Sequence, residues 1–179
     1  MYIQKKRTYI NSGDYMNLKK IIHNTIIIFL LFFPLHFLYS KTKITIFIPF
    51  APVNESIWEH LKLFLSANLL YGLISLRKNY FGKVYVRSMI EIVIFLIIYL
   101  PLYYLFGENM IGTFVTLFVS IFLSEIVISF IDFDKYNSLN TISIFLILLN
   151  LTIFTYFSYH PLKVDLFRDP QNNSYGIKK

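Results

Sequence analysis

Apolar residues in this chain fall in long blocks with no period of two, and charged residues punctuate them. Five blocks approach the roughly 20 residues that a helix needs to cross a hydrocarbon core. They run over 21–40, 57–76, 86–106, 110–131 and 139–159. The first contains no Asp, Glu, Lys or Arg, and the last lies in a stretch from Tyr136 to Leu162 that also has none. The second block is the weakest, because Glu59, His60 and Lys62 occupy its first turns. The pattern predicts an all-α, polytopic transmembrane bundle of about five helices. A basic tail over 1–20 precedes the bundle at 21–159, and a polar carboxyl-terminal tail over 160–179 follows it. Pro34 and Pro101 each remove a helical hydrogen bond, so the first and third helices are expected to bend there.

Composition supports lipid as the solvent. Of 179 residues, 56% are hydrophobic and only 15% are charged, where a soluble domain has about 25% charged residues. The expected partner is the lipid bilayer. The net charge of +7 does not point to nucleic acid, because the Lys and Arg residues sit in short clusters at the ends of apolar runs. That placement is a topology signal. With no cysteine in the chain, disulfides, thiol catalysis and Cys-ligated zinc are excluded, and any metal must use His and carboxylates.

With the amino terminus inside, the cytoplasmic basic residues are Lys5, Lys6, Arg7, Lys19, Lys20, Arg77, Lys78, Lys83, Arg87 and Lys135. The outer set is smaller: Lys41, Lys43, Lys62, Lys163, Arg168, Lys178 and Lys179. The count favours amino terminus in and carboxyl terminus out. Met16-Asn17-Leu18-Lys19-Lys20 before an apolar run has the look of a secretory signal, and Met16 is an alternative start. No small-x-small cleavage site follows at Leu38-Tyr39-Ser40, so a retained first helix is expected.

Polar residues gather on the predicted outer side. Asn54 is placed to cap the second helix, Val53 to staple against Trp58, and Glu55 to complement the helix dipole. Glu55 and Glu59 are four apart and share a face, whereas His60 points about 100° from Glu59. One helix alone therefore cannot make a metal site from this run, and the spacing is not that of a His-Glu-x-x-His protease. Partners can come from His36 near the end of the first helix, and from His160, Arg168 and Asp169 after the fifth. Together Asn54, Glu55, Trp58, Glu59, His60, His36, His160, Arg168 and Asp169 are a candidate ligand-binding set, with His36, His60 and His160 as candidate metal ligands. Deeper in the bundle, Glu91 and Glu125 are predicted at similar depth on adjacent helices. Arg87, four residues before Glu91, is the expected partner of that acid.

The motifs at Val53-Asn54-Glu55-Ser56-Ile57-Trp58-Glu59-His60-Leu61-Lys62 and Leu166-Phe167-Arg168-Asp169-Pro170, with Tyr175-Gly176-Ile177, resemble an uncharacterised family of small bacterial multipass membrane proteins. The resemblance implies a multi-pass protein of the bacterial cytoplasmic membrane with no established activity, and it carries no catalytic residue over. Gln171-Asn172-Asn173-Ser174 departs from the family pattern.

Three functional classes stay open from the sequence. The first is an integral membrane protein whose outer polar cluster binds a small ligand or a divalent metal as cofactor. The second is a membrane-embedded metal-dependent hydrolase with Glu55 or Glu59 as general base. The third is a transport or proton-coupled component using Glu91 and Glu125, which at five helices would work as a homo-oligomer.

Overall fold

A computed structural model describes residues 17–75, 80–133 and 137–177. Met16 and the basic residues at 5–7, 77, 78, 135, 178 and 179 lie outside the described residues. Five helices follow one another: α1 (Leu18–Thr42), α2 (Ile57–Ser75), α3 (Tyr80–Phe106), α4 (Met110–Ser129) and α5 (Asn137–Tyr159). There is no strand among the described residues beyond one isolated bridge between Arg168 and Tyr175. The result is the all-helical bundle expected from the apolar blocks.

Local chemistry sets the helix ends. Asn17 caps α1 by accepting from the Lys20 amide at 3.2 Å, and Asn109 caps α4 by accepting from Gly112 at 3.1 Å. Lys43 closes α1 in the left-handed region, its amide donating to the Tyr39 carbonyl at 2.8 Å. Pro34 and Pro101 sit inside their helices as predicted.

Four of the helices, α1, α3, α4 and α5, are long and apolar enough to cross a membrane. Their outward faces carry large apolar side chains, among them Ile97, Leu105, Phe145 and Leu148. A surface of that kind is stable where lipid replaces water. The second helix differs because it is the most enclosed. Leu61, Phe64, Leu65 and Ala67 are buried in the core with Ile28 and Phe32 of α1, Val84 and Phe95 of α3, and Ile121 of α4. Gly72 lets α3 approach, since a Cβ there would stand 2.1 Å from the Tyr80 ring.

Two cations belong to this interior. Lys62 is 0% exposed and Arg87 2%, whereas the sequence pattern places both among the membrane-flanking charges. Removing one from each side of the topology count leaves its difference unchanged. Each is held by a network of acids and amides, which is how an interior charge is tolerated.

One end of the bundle gathers the connection between α1 and α2, the turn between α3 and α4, and the carboxyl-terminal segment. A short 3-10 turn, Thr45–Phe47, follows α1. The carboxyl-terminal segment folds back beyond α5 through a second 3-10 turn, Asp165–Phe167. Ile177 donates to the Ser158 carbonyl at 3.1 Å, and the Asn54 side-chain amide donates to the Gly176 carbonyl at 3.0 Å. Gly176 has φ of +63° and a Cβ there would meet the Ser158 oxygen at 2.6 Å, so only glycine allows that close approach.

Candidate metal centre

The start of α2 is built by short polar side chains. Ser56 precedes the first helical residue and its hydroxyl accepts from the Glu59 amide at 3.4 Å. Asn54, the expected cap, instead supports that position: its side-chain oxygen accepts from the Ser56 amide at 2.9 Å. An Asx turn feeding a serine cap explains the difference. Trp58 stacks on Phe167 with centroids 4.7 Å apart and meets Phe154 and Phe157 edge-on. It joins α2 to α5 and to the returning carboxyl-terminal segment.

Glu55 and Glu59 share a predicted helix face but go to separate environments, because Glu55 lies before the first turn. Glu59 is buried; one of its oxygens pairs with Lys62 and accepts from the Val53 amide at 3.0 Å, while the other accepts from Ser158 at 2.8 Å. Lys62 also donates to the Ile48 carbonyl at 2.9 Å and to Ser158 at 2.5 Å. Glu59 is thereby committed to structure.

Glu55 faces two imidazoles instead. Its Oε2 stands 3.4 Å from His36 Nε2 and 3.4 Å from His60 Nε2, and the two nitrogens are 3.0 Å apart. These three atoms form a compact triangle that can hold a metal ion. Ligand bonds of 2.0–2.1 Å on a tetrahedral ion place neighbouring donors about 3.3 Å apart, and the observed edges bracket that value. All three side chains are partly exposed, at 23%, 24% and 34%.

Protonation is set by a neighbour. His60 Nδ1 lies 2.8 Å from the Ser56 carbonyl, and a carbonyl only accepts, so Nδ1 carries the hydrogen. In the neutral ring Nε2 then holds a lone pair aimed at the triangle, the arrangement by which a backbone carbonyl orients a metal-binding histidine. Glu55 is held ionised well below the usual carboxylate range, chiefly by the hydrogen bond from His36 and then by that from His60. His60 donates that bond through Nε2 only in its protonated form, and gives it up when that nitrogen turns its lone pair to a metal. Two nitrogens and one anionic oxygen make a hard-to-borderline donor set suited to zinc or a similar first-row ion.

A cavity of about 500 Å³ adjoins the triangle. Its floor is apolar, with Phe32, Phe64, Phe95 and Leu117 from four different helices, and its mouth carries Glu108 and Arg168 beside the His36, Glu55 and His60 side chains.

The remaining predicted residues are placed elsewhere. His160 is exposed and its ring lies 5.0 Å from that of Tyr156; it is not one of the three clustered ligands. Asp169 is buried and accepts from the Gln171 amide at 2.9 Å and from Asn172 at 2.8 Å, so it builds the turn that holds Arg168. Arg168 pairs with Asp165 at 3.1 Å. The two deep acids are linked by a chain of side chains across α1 to α4. Arg87 pairs with Glu125 at 2.5 Å rather than with Glu91, which accepts from Asn68 at 2.5 Å. Asn24 donates to Glu125 at 2.6 Å and receives the Tyr71 hydroxyl at 2.5 Å.

Asn24, Asn68 and Tyr71 were not predicted, since amides and a tyrosine within apolar helices give no period of their own. Their signal was polarity within predicted spans, where unpaired amides are costly.

A model of a family of unknown function, DUF6512, matches residues 10–177. The chain belongs to that family. Its membership covers all five helices and the returning carboxyl-terminal segment, so the triangle lies wholly inside the matched region. No curated protein and no solved structure matches the chain.

Proposed function

We propose that this DUF6512 protein is a multi-pass protein of the bacterial cytoplasmic membrane that binds one divalent metal ion through His36, Glu55 and His60 at its outer face. The observation that carries the reading is the triangle of donor atoms, with His60 fixed by the Ser56 carbonyl so that its free lone pair faces the other two. Zinc is the ion that fits this donor set best, and three protein ligands leave a fourth position for water or a ligand.

The test is metal content and affinity of the purified full-length protein. One zinc per chain is expected. His36→Ala and His60→Ala should each weaken zinc binding by roughly 100-fold or more, beyond the typical loss for an outer-shell partner. His160→Ala should leave affinity unchanged. Wild-type protein that binds no zinc, nickel or manganese at micromolar concentrations overturns the reading.

The outer placement follows from the basic-residue count and has its own check. Because the chain has no cysteine, a single Asn172→Cys variant reports topology cleanly. Asn172 is exposed on the carboxyl-terminal segment, so intact cells should label it with a membrane-impermeant maleimide. Labelling only after the cells are opened would place the metal centre on the cytoplasmic side.

The open coordination position beside a cavity favours hydrolysis as a second reading. His36, Glu55 and His60 would hold the ion, which would supply Lewis acidity and an activated water to an ester in the cavity, with water and ester giving the free acid and the alcohol. Glu59 is committed to Lys62 and Ser158 and does not serve as base. Zinc-dependent release of acid from a long-chain ester, abolished by His60→Ala, would support this reading; its absence in zinc-loaded protein would leave binding alone.

A further inference from the structure

We infer that the cavity receives a single hydrocarbon chain whose oxyanion headgroup, a carboxylate or phosphate, meets the metal ion at the triangle and Arg168 at the mouth; this rests on the metal reading above. The cavity has the polarity of an amphiphile. Its inner wall is made largely by Phe32, Phe64, Phe95 and Leu117, and its charged groups Glu55, Glu108 and Arg168 are less buried than that wall. The further polar lining at Tyr99 and Thr113 is paired with itself, the Thr113 hydroxyl donating to the Tyr99 oxygen at 3.4 Å. On α3 the lining runs from Phe95 to Tyr103, which is about 12 Å along the helix at 1.5 Å per residue. A volume of about 500 Å³ falls within the roughly 300–1,000 Å³ of small-molecule sites and gives room for one chain.

Charge selects the headgroup. Glu55 and Glu108 face the mouth with Arg168, so by charge alone the mouth repels an anion. A divalent ion on the triangle removes that repulsion, because its two positive charges together with Arg168 balance Glu55, Glu108 and the Asp165 carboxylate paired with Arg168, and the ion itself is the point an oxyanion meets. Arg168 also has a buried Nε–H with no protein acceptor, although its other end is paired with Asp165. A donor left unpaired on a residue that lines the same cavity as the triangle is suited to an oxyanion. The returning carboxyl-terminal segment places that arginine over the cavity, held by the Asp169 turn. Its role there would be to bind the headgroup.

The experiment titrates the full-length protein with dodecyl phosphate and, separately, with inorganic phosphate, and reads one-to-one adducts by native mass spectrometry. Both titrations are run on zinc-loaded and on chelator-treated protein. Dodecyl phosphate is expected to bind at least tenfold tighter with zinc than without, and at least tenfold tighter than inorganic phosphate. Leu117→Phe and Thr113→Trp, which narrow the cavity from α4, should each abolish the advantage of the chain while zinc affinity and unfolding temperature stay near wild type. Two positions are used so that one misfolded variant does not decide the result. Arg168→Gln should weaken dodecyl phosphate about tenfold without changing zinc affinity.

Zinc binding without saturable dodecyl phosphate binding overturns the cavity assignment and leaves the metal centre standing. Equal binding of inorganic phosphate, unaffected by both narrowing variants, reduces the site to a free-anion site and overturns the chain. Absence of zinc binding removes the metal centre and this inference together.

Discussion

Lys62→Met is expected to destabilise the protein by about 3–5 kcal/mol, the usual cost of removing one member of a buried ion pair. Lys62 is wholly enclosed, and its ammonium contacts Glu59, Ser158 and the Ile48 carbonyl. Those partners come from α2, from α5 and from the segment after α1. Without the cation, the Glu59 carboxylate remains buried with only the Val53 amide and the Ser158 hydroxyl to compensate it. The double variant Glu59→Gln/Lys62→Met should recover a large part of the loss, because it removes both charges and keeps most of the volume. Unfolding in a mild detergent, measured for both single variants and the double, gives the coupling directly. Purely additive losses would mean that the pair is not the tie between these segments. Since Glu55 and His60 flank this knot at the start of α2, Lys62→Met should also weaken zinc binding, and the double variant should restore it.

The sequence makes the fold legible at the level at which lipid acts on it. Long apolar blocks and proline positions are local properties, and their consequences are present in α1 to α5. The site is only half legible. His36, Glu55 and His60 were all in the candidate set, but so were Glu59, His160 and Asp169, and spacing along one helix cannot rank them. The ranking is made by tertiary facts. Ser56 rather than Asn54 begins α2, which leaves Glu55 outside the helix and free to turn toward His36, while Glu59 points into the bundle toward Lys62. The misplaced cations have the same origin. A lysine at the head of an apolar block reads as a flanking charge, and only the presence of Glu59 and Ser158 around it makes burial tolerable. Arg87 likewise has Glu91 four residues on, yet its ion pair is with Glu125 of the next helix.

Arg87→Met is the second change with a large expected effect, about 3–5 kcal/mol by the same reasoning. The guanidinium pairs with Glu125, donates to Asn68 at 3.3 Å and lies 5.3 Å from the centre of the Tyr71 ring. Through Asn68 it reaches Glu91, and through Glu125 it reaches Asn24, so one side chain on α3 connects polar groups of α1, α2 and α4. Arg87→Lys should not rescue the protein, because an ammonium cannot present a planar fork to Glu125 and Asn68 while stacking on Tyr71. Glu125→Gln, by contrast, should restore much of the stability of Arg87→Met, since the neutral amide no longer needs a cation and can still receive the Asn24 donor. This also separates a structural tie from a proton-coupled role. If Arg87→Met/Glu125→Gln folds near wild type and keeps its zinc affinity, the deep acids serve the bundle and the metal centre works without them. If the folded double variant instead abolishes a proton-dependent flux that wild-type protein supports in proteoliposomes, Glu125 has a transport function that its ion pair with Arg87 regulates.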